Sequence, residues 1–269
     1  MRISRVLLGT SLAALLALPA MAVSASAQTS AAAGVRYVAL GDSYSSGEGA
    51  GSYGTSGSCD RSADAYPQQW ANANDPASFS FVACAGATVS DVLNSQVSSL
   101  SAGTTLVSIS IGGNDVGFSA VMATCVLAPT STCESAVSGA ETLVADLLPA
   151  ELNTVLQTIR RDAPAARVVV LGYPEFYDLS RSSGCAGLST ADRTTLNQGA
   201  DQLDSALSAA AARNGDIFAD VRSQFAGHEL CDGSSSWLNA VTWPIGSSYH
   251  PTASGQELGY LPVFSSAAG

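Results

Sequence analysis

The chain has 269 residues and is acidic, with 22 Asp and Glu against 11 Lys and Arg, so its net charge at pH 7 is −11. This charge argues against nucleic acid or an anionic membrane as a partner, because both repel an acidic surface. The length fits one α/β domain, and no internal repeat or second domain is visible.

The first 27 residues have the pattern of a secretory signal peptide. Two arginines precede an apolar run over residues 6–21, and the segment ends in Ala-Ser-Ala at 25–27. The run is too short and interrupted to predict a membrane span, and no later stretch is long enough. We therefore expect cleavage after Ala27, a disordered tail over residues 28–34, and a secreted, monomeric domain over residues 35–269.

Short apolar runs alternate with amphipathic segments along the rest of the chain. Pro149 could kink one predicted helix, and the segment 118–133 is expected to be a loop. The alternation predicts a parallel sheet with helices on both faces. The predicted strands are 35–40, 79–83, 106–111, 167–171 and 216–221, and the predicted helices are 66–73, one opened by a capping pattern at Thr88, 141–161, 190–213 and one from about Thr252.

Unusual residues follow three of the predicted strands. Ser43 comes after the first strand, Gly86 after the second, and Asn114 after the third. The carboxyl ends of parallel strands share one edge of a sheet, where ligands bind in α/β folds. A serine hydroxyl there is a candidate nucleophile for acyl transfer. The backbone amides of Ser43 and Gly86 and the side-chain amide of Asn114 are candidate donors to its oxyanion.

A serine nucleophile needs a base, and the chain has only two histidines, His228 and His250. His250 precedes Pro251, which holds it in an extended or turn conformation before the last predicted helix. On the residues alone, His228 is an equal candidate. Its alternative role is structural, as a buried pair with Glu229.

Six cysteines in an exported chain predict three disulfides. We favour pairing neighbours in sequence, because each such bond would tie down a predicted loop: Cys59 with Cys84, Cys125 with Cys133, and Cys185 with Cys231. No two cysteines have the short spacing of a zinc site, and histidines are scarce, so no metal or other cofactor is predicted.

The motifs resemble the sequence blocks of the SGNH, or GDSL-type, hydrolases. The chain carries Gly-Asp-Ser-Tyr-Ser-Ser-Gly at 41–47, Gly86, Gly-Gly-Asn-Asp at 112–115, and His250, in the family's order. The resemblance covers almost all of residues 35–264 and is closest to secreted actinobacterial lipases and esterases. It implies a flavodoxin-like, three-layer α/β/α fold with about five parallel strands. It also implies the same three disulfides.

The resemblance further implies a role for each site residue. Ser43 would be the nucleophile, the amides of Ser43 and Gly86 with the Asn114 side chain would form the oxyanion hole, and His250 would be the base. The general family has an aspartate three residues before the histidine, where this chain has Ser247. The close relatives also lack that acid, and this implies that the backbone carbonyl of Ser247 orients the imidazole.

We therefore expect a secreted carboxylic-ester hydrolase that acts on lipid acyl esters through an acyl-serine. The carboxylates of Asp42 and Asp115 are expected to bond local backbone amides. Two alternatives are a polysaccharide O-acetyl esterase and a binding module that has lost turnover. Apolar residues of the segments 47–58, 118–133 and 237–245 either line an acyl groove or pack on the core; they include Phe118, Val121, Met122, Trp237, Leu238, Trp243 and Ile245.

Overall fold

A five-stranded parallel sheet lies at the centre of the fold, with the strand order β2-β1-β3-β4-β5. The computed structural model describes residues 34–181, 188–232 and 235–269. The predicted signal peptide, the predicted tail before Gly34, and Cys185 lie outside the described residues. The strands are β1 (Arg36–Gly41), β2 (Ser78–Phe81), β3 (Leu106–Ser110), β4 (Arg167–Leu171) and β5 (Ile217–Ala219).

The register of the two central strands brings the predicted site residues together. Every residue of β3 is buried, as its run of apolar and hydroxyl residues predicts for a strand covered on both faces. Gly41 at the end of β1 is paired with Ser110 at the end of β3. The turns that carry Ser43 and Asn114 therefore leave the sheet at the same level.

Helices cover both faces of the sheet. On one face, rings of Trp70 and Phe264 pack on Tyr37 of β1, with ring centroids 5.3 and 5.4 Å from it. On the other, side chains of Leu148 and Leu203 approach Gly112. This confirms the predicted three-layer α/β/α fold. The helices are α1 (Ser43–Ser46), α2 (Tyr66–Asn74), α3 (Val89–Asp91), α4 (Phe118–Leu127), α5 (Thr130–Asp146), α6 (Leu148–Asp162), α7 (Thr190–Asn214), α8 (Arg222–Phe225) and α9 (Leu261–Ala268), with π turns at Val92–Gln96 and Gly255–Tyr260.

The prediction was wrong in the segment before β4. The predicted helix 141–161 is two helices, α5 and α6, which meet at Leu147. Pro149 stands in the first turn of α6. A backbone N–H there would have no acceptor within the helix, so the lack of one in proline does not disturb the helix. The predicted loop 118–133 is α4 and the start of α5. Its many small and apolar residues lack a distinct polar face, so periodicity gave no sign of a helix.

Two of the predicted disulfides are present, Cys59–Cys84 and Cys125–Cys133. The first ties the loop after α1 to the turn that carries Gly86, and the second joins α4 to α5. The predicted bond from Cys185 to Cys231 involves a residue outside the described part. Within the described residues, no helix combines the length and apolar character needed to cross a bilayer.

Removing the Cys59–Cys84 bond should destabilise the protein through its unfolded state. Both cysteines are only half-buried, so replacing them by alanine leaves no core cavity. The bond closes a loop with a sequence separation of 25. We expect the double variant Cys59→Ala/Cys84→Ala to lose about 3 kcal/mol of unfolding free energy in urea titrations. A loss below about 1 kcal/mol would show that the denatured chain gains little freedom when this bond is absent.

Candidate active site

Ser43 is held at a sharp turn between β1 and α1. Gly41 has a φ of +123°, and a side chain there would collide with the backbone of Ser110. The carboxylate of Asp42 then caps α1 by accepting the backbone N–H of Tyr44 at 3.1 Å. Ser43 is the first residue of this short helix, and its backbone is fixed on both sides.

His250 lies next to Ser43 although 207 residues separate them in the chain. The imidazole Nε2 is 2.7 Å from the Ser43 hydroxyl oxygen, and both residues are buried. Asn239 stabilises this end of the chain: its backbone N–H and its side-chain amide both donate to the carbonyl of His250, at 2.9 and 3.0 Å. The structure therefore brings together the two residues predicted as nucleophile and base.

The resemblance implied that the carbonyl of Ser247 orients the imidazole. In the structure, the carbonyl in contact with the ring is that of Ser248. His250 Nδ1 is 3.1 Å from the Ser248 oxygen, which fits an Nδ1–H donor and leaves Nε2 to accept from Ser43. The Ser247 carbonyl instead accepts the backbone N–H of His250 at 3.3 Å. Tyr249 adopts a positive φ of 67°, which turns the preceding peptide back towards the ring. Sequence offered no sign of this left-handed residue.

Burial lowers the pKa of His250 to about 4, and the carbonyls of Ser248 and Gly246 oppose that shift only in part. The imidazole is thus uncharged at neutral pH and able to accept a proton. Glu48 stands nearby, with its Oε2 3.7 Å from Nε2. Burial, followed by the charges of Asp60 and Asp42, raises the pKa of the Glu48 carboxyl to about 7.

The low pKa of His250 predicts activity far into the acid range. An imidazole base must be uncharged, so kcat/KM should fall only as pH drops through the histidine pKa, near 4. A solvated histidine would place that fall near ~6.5. Initial rates on a soluble ester between pH 3 and 8 measure the position, and Glu48→Gln is the control, since a limb due to Glu48 would vanish in it. An inflection near ~6.5 that persists in Glu48→Gln would contradict the expectation.

Each of the predicted oxyanion donors has an N–H available. Within the described residues, the backbone amides of Ser43 and Gly86 have no protein acceptor. Gly86 has a positive φ of 76° and open space where a side chain would stand, so its backbone is accessible. Asn114 donates one side-chain N–H to the carbonyl of Ala87 at 3.0 Å, and an amide nitrogen carries a second.

The two turns that carry these donors are linked to each other. The Asn114 bond to Ala87 reaches the residue after Gly86, and the Asp115 carboxylate accepts the backbone N–H of Val89 at 3.0 Å. Asp115 thus bonds a backbone amide, as expected, and the amide of Val89 lies in the neighbouring turn. The predicted capping box at Thr88 is also present.

A buried polar network beneath Ser43 was not predicted. The Asp42 carboxylate accepts the Ser110 hydroxyl at 2.6 Å and the Tyr173 hydroxyl through its other oxygen. Burial raises the pKa of Asp42 to about 6, against the effect of these donors. Tyr173 also accepts the backbone N–H of Gly113 at 3.4 Å and so links the nucleophile turn to the Asn114 turn. Its position directly after β4, at the same sheet edge, was the available signal.

An apolar groove opens beside Ser43 and Asn114 and encloses about 680 Å³, counting the part open to solvent. It runs between α4, α5 and α7. Of the residues predicted for an acyl groove, Phe118, Val121 and Met122 line it. Trp237, Leu238, Trp243 and Ile245 do not. The rest of its lining includes Val116, Val137, Val144, Phe176, Leu196 and Leu203.

His228 is engaged elsewhere. Its ring stacks on Trp237 with centroids 3.7 Å apart, and its Nδ1 is 2.8 Å from the Ser235 carbonyl. Glu229 accepts the backbone N–H of Gly227. The two residues are half-buried and bond to different partners, so the predicted buried pair is wrong. Among the described residues, no group of His, Cys, Asp and Glu is placed to hold a metal ion.

In this α/β/α fold, a serine hydroxyl lies 2.7 Å from an uncharged imidazole at the sheet edge, an arrangement suited to acyl transfer. The family match and the relatives make the protein a carboxylic ester hydrolase. The chain belongs to the GDSL-like Lipase/Acylhydrolase family, whose model matches residues 39–258. The predicted family is thereby confirmed.

Relatives from Streptomyces share about half of their residues with the chain. It is 53% identical over 259 residues to Lipase 1 of Streptomyces coelicolor, a match that covers 96% of this chain and 95% of that protein. The solved phospholipase A1 of Streptomyces albidoflavus NA297 is 53% identical with a TM-score of 0.85, over 88% of this chain and 100% of that one. The extracellular lipase of Streptomyces rimosus is 50% identical with a TM-score of 0.84, over 87% and 99%.

Proposed function

We propose that the protein hydrolyses the acyl esters of lipids, with Ser43 as nucleophile and His250 as general base. One observation carries the proposal: Ser43, whose Oγ is 2.7 Å from His250 Nε2, lines a groove of mainly apolar side chains. The pair supplies acyl transfer, and the groove supplies a site for a hydrocarbon chain.

The positions of these groups support the following reaction. Ser43 Oγ attacks the ester carbonyl as its proton passes to His250 Nε2, and the carbonyl oxygen becomes an oxyanion. The amides of Ser43 and Gly86 and the second N–H of Asn114 stabilise that charge. His250 then donates its proton to the leaving alcohol, which leaves an acyl-Ser43. A water molecule gives a proton to His250 and attacks the acyl carbon. The bond from that carbon to Ser43 Oγ then breaks, His250 returns the proton to Oγ, and the acid is released.

A neutral carbonyl in place of the usual carboxylate suits a buried histidine. The Ser248 oxygen fixes the tautomer with Nδ1 protonated but adds no full charge to stabilise imidazolium. The histidine therefore keeps its low pKa in the resting enzyme. Proton transfer from Ser43 is then favoured chiefly by the oxyanion that forms at the same time.

Lipid esters fit the groove better than acetylated sugars. Phe118, Met122 and Leu203 belong to a mainly apolar lining that extends from Ser43 along α4, α5 and α7. Names of relatives agree, since one is a phospholipase A1 and others are lipases. Hydrolysis rates across esters from acetyl to palmitoyl, together with phosphatidylcholine, triacylglycerol and acetylated xylan, test the proposal. A rise in kcat/KM with chain length supports it, and activity restricted to acetyl esters would refute it.

Narrowing the groove should reduce activity on long chains only. Gly199 of α7 lines the groove, and a side chain there would first meet Val137 at 3.3 Å. We expect Gly199→Leu to lower kcat/KM for a dodecanoyl ester about ten-fold or more, because each CH₂ kept out of an apolar site forfeits about 0.8 kcal/mol. Butyryl ester hydrolysis should change less than about two-fold.

The control for this variant is Gly139→Leu on α5, where a side chain meets open space. It adds the same side chain to a neighbouring helix outside the groove. Equal losses on short and long esters in Gly199→Leu would point to misfolding and not to a blocked groove.

We also propose that the enzyme is exported and acts as a monomer. Support for export comes from the charged start, apolar run and Ala-Ser-Ala end of the first 27 residues. Amino-terminal sequencing of the protein from culture medium should begin at Gln28. Sedimentation at micromolar concentration should give the mass of one chain.

A further inference from the structure

An exposed apolar loop lies beside the catalytic histidine. All six residues from 241 to 246 are exposed, and we refer to them as the apolar loop. Val241, Trp243 and Ile245 expose 54%, 87% and 63% of their surface. Such side chains cost free energy in water, so a cluster of them at one site indicates a surface that contacts something apolar.

The apolar loop is attached to the active site by its base. The hydroxyl of Ser248 accepts the backbone N–H of Thr242 at 2.9 Å and donates to its carbonyl at 3.3 Å, which closes the loop. The carbonyl of the same Ser248 orients His250. Gly246 lies against the carboxylate of Glu48, which in turn is 3.7 Å from His250 Nε2. An object bound to this loop is therefore adjacent to the catalytic centre.

The apolar loop itself carries no charge, unlike the protein as a whole. No acidic or basic side chain other than His250 occurs between residues 235 and 250, whereas the chain carries a net charge of −11. The negative charge of the protein would repel an anionic membrane, and the loop carries no Lys or Arg to attract one. An uncharged or zwitterionic lipid surface meets no such penalty.

We propose that the apolar loop docks the enzyme on the surface of neutral or zwitterionic lipid, with Trp243 and Ile245 entering the interface. Tryptophan suits this position because its ring is large, apolar and carries one polar N–H. The proposal rests on the function proposed above, since docking there presents lipid esters to Ser43.

Vesicle binding tests the proposal without turnover. The Ser43→Ala protein is mixed with phosphatidylcholine vesicles, and the bound fraction is measured by flotation. Adding Trp243→Ala/Ile245→Ala should weaken partitioning about ten-fold or more, because both side chains lose their apolar burial. Leu258→Ala is the matched control, a large apolar residue that is 46% exposed on another segment, and it should bind as before. Phosphatidylglycerol added to the vesicles should reduce binding.

Tryptophan fluorescence locates the contact. The chain has three tryptophans; Trp70 is buried and Trp237 is stacked on His228, so Trp243 is the one positioned to enter lipid. Vesicles should shift the emission to shorter wavelength, and dibrominated phosphatidylcholine should quench it. Trp243→Phe should abolish both changes.

Unchanged vesicle binding in the double variant would overturn the proposal, and so would an emission shift that survives Trp243→Phe. It would also be overturned if the protein formed a dimer and the double variant lost that dimer but still bound vesicles. With Ser43 intact, the double variant should hydrolyse a soluble short ester at the normal rate. Normal vesicle binding by a protein that hydrolyses no lipid would refute the proposed function and leave the docking surface standing.

Discussion

Replacing Ser43 by alanine should lower kcat on a soluble ester by a factor of roughly 10⁴–10⁶, the range for removing a serine nucleophile from a catalytic unit. KM should change little, because the hydroxyl contributes to bond formation and not to holding the acyl chain. Steady-state kinetics with titrated active sites measure both. Within the described residues, the Ser43 hydroxyl bonds only to His250, and the backbone bonds of Ser43 remain in alanine, so the variant should fold normally.

Ser247→Ala is the matched control for that experiment. It removes a hydroxyl three residues from His250, but the structure gives its side chain no role at the imidazole, since the carbonyl in contact is that of Ser248. Most activity should remain.

Combining Ser43→Ala with His250→Ala should lower kcat little more than either change alone, because the two groups act as one unit. Additive losses would contradict the coupling.

Asn114→Ala should lower kcat about 10²–10³-fold, the cost of removing one oxyanion donor. In the proposed mechanism, the second N–H of Asn114 bonds to charge that exists only in the transition state, so KM should be nearly unchanged. The variant also loses the bond to the Ala87 carbonyl, which helps to hold the Gly86 turn. Asn114→Asp keeps the shape of the side chain but replaces donors by a carboxylate, and it should be at least as inactive.

Thermal unfolding separates the two roles of Asn114. If its bond to Ala87 were the whole of its contribution, the loss of activity would follow the loss of stability. A variant that unfolds near the wild-type temperature yet loses activity supports the oxyanion role. Loss below about five-fold in a well-folded Asn114→Ala would remove this residue from the oxyanion hole.

Much of the site could be predicted because parallel strands end at one edge. Short buried runs located β1 and β3, and the abrupt stops at Gly41 and Gly112 placed Ser43 and Asn114 at the same level. The few histidines of the chain reduced the candidates for the base to two. Resemblance chose between them, and the structure places His250 on Ser43.

The remaining features depend on backbone geometry and tertiary contacts that periodicity does not encode. Which carbonyl meets the imidazole was decided by the positive φ of Tyr249, a conformation that non-glycine residues seldom adopt. Tyr173 bonds to Asp42 across 131 residues of sequence. Residues of the segment 237–245 were candidates for lining an acyl groove or for packing on the core, but the apolar groove beside Ser43 is lined by α4, α5 and α7. A loop was predicted where α4 lies, and one continuous helix was predicted where α5 ends and α6 follows.

Covalent labelling tests the central claim most directly, namely that His250 activates Ser43. A fluorophosphonate should modify the enzyme once, and peptide mass spectrometry should place the adduct on Ser43. In His250→Ala the labelling rate should fall by a factor of about 10³ or more, because the hydroxyl then keeps its proton. Labelling of another residue, or an equal rate without the imidazole, would contradict the account.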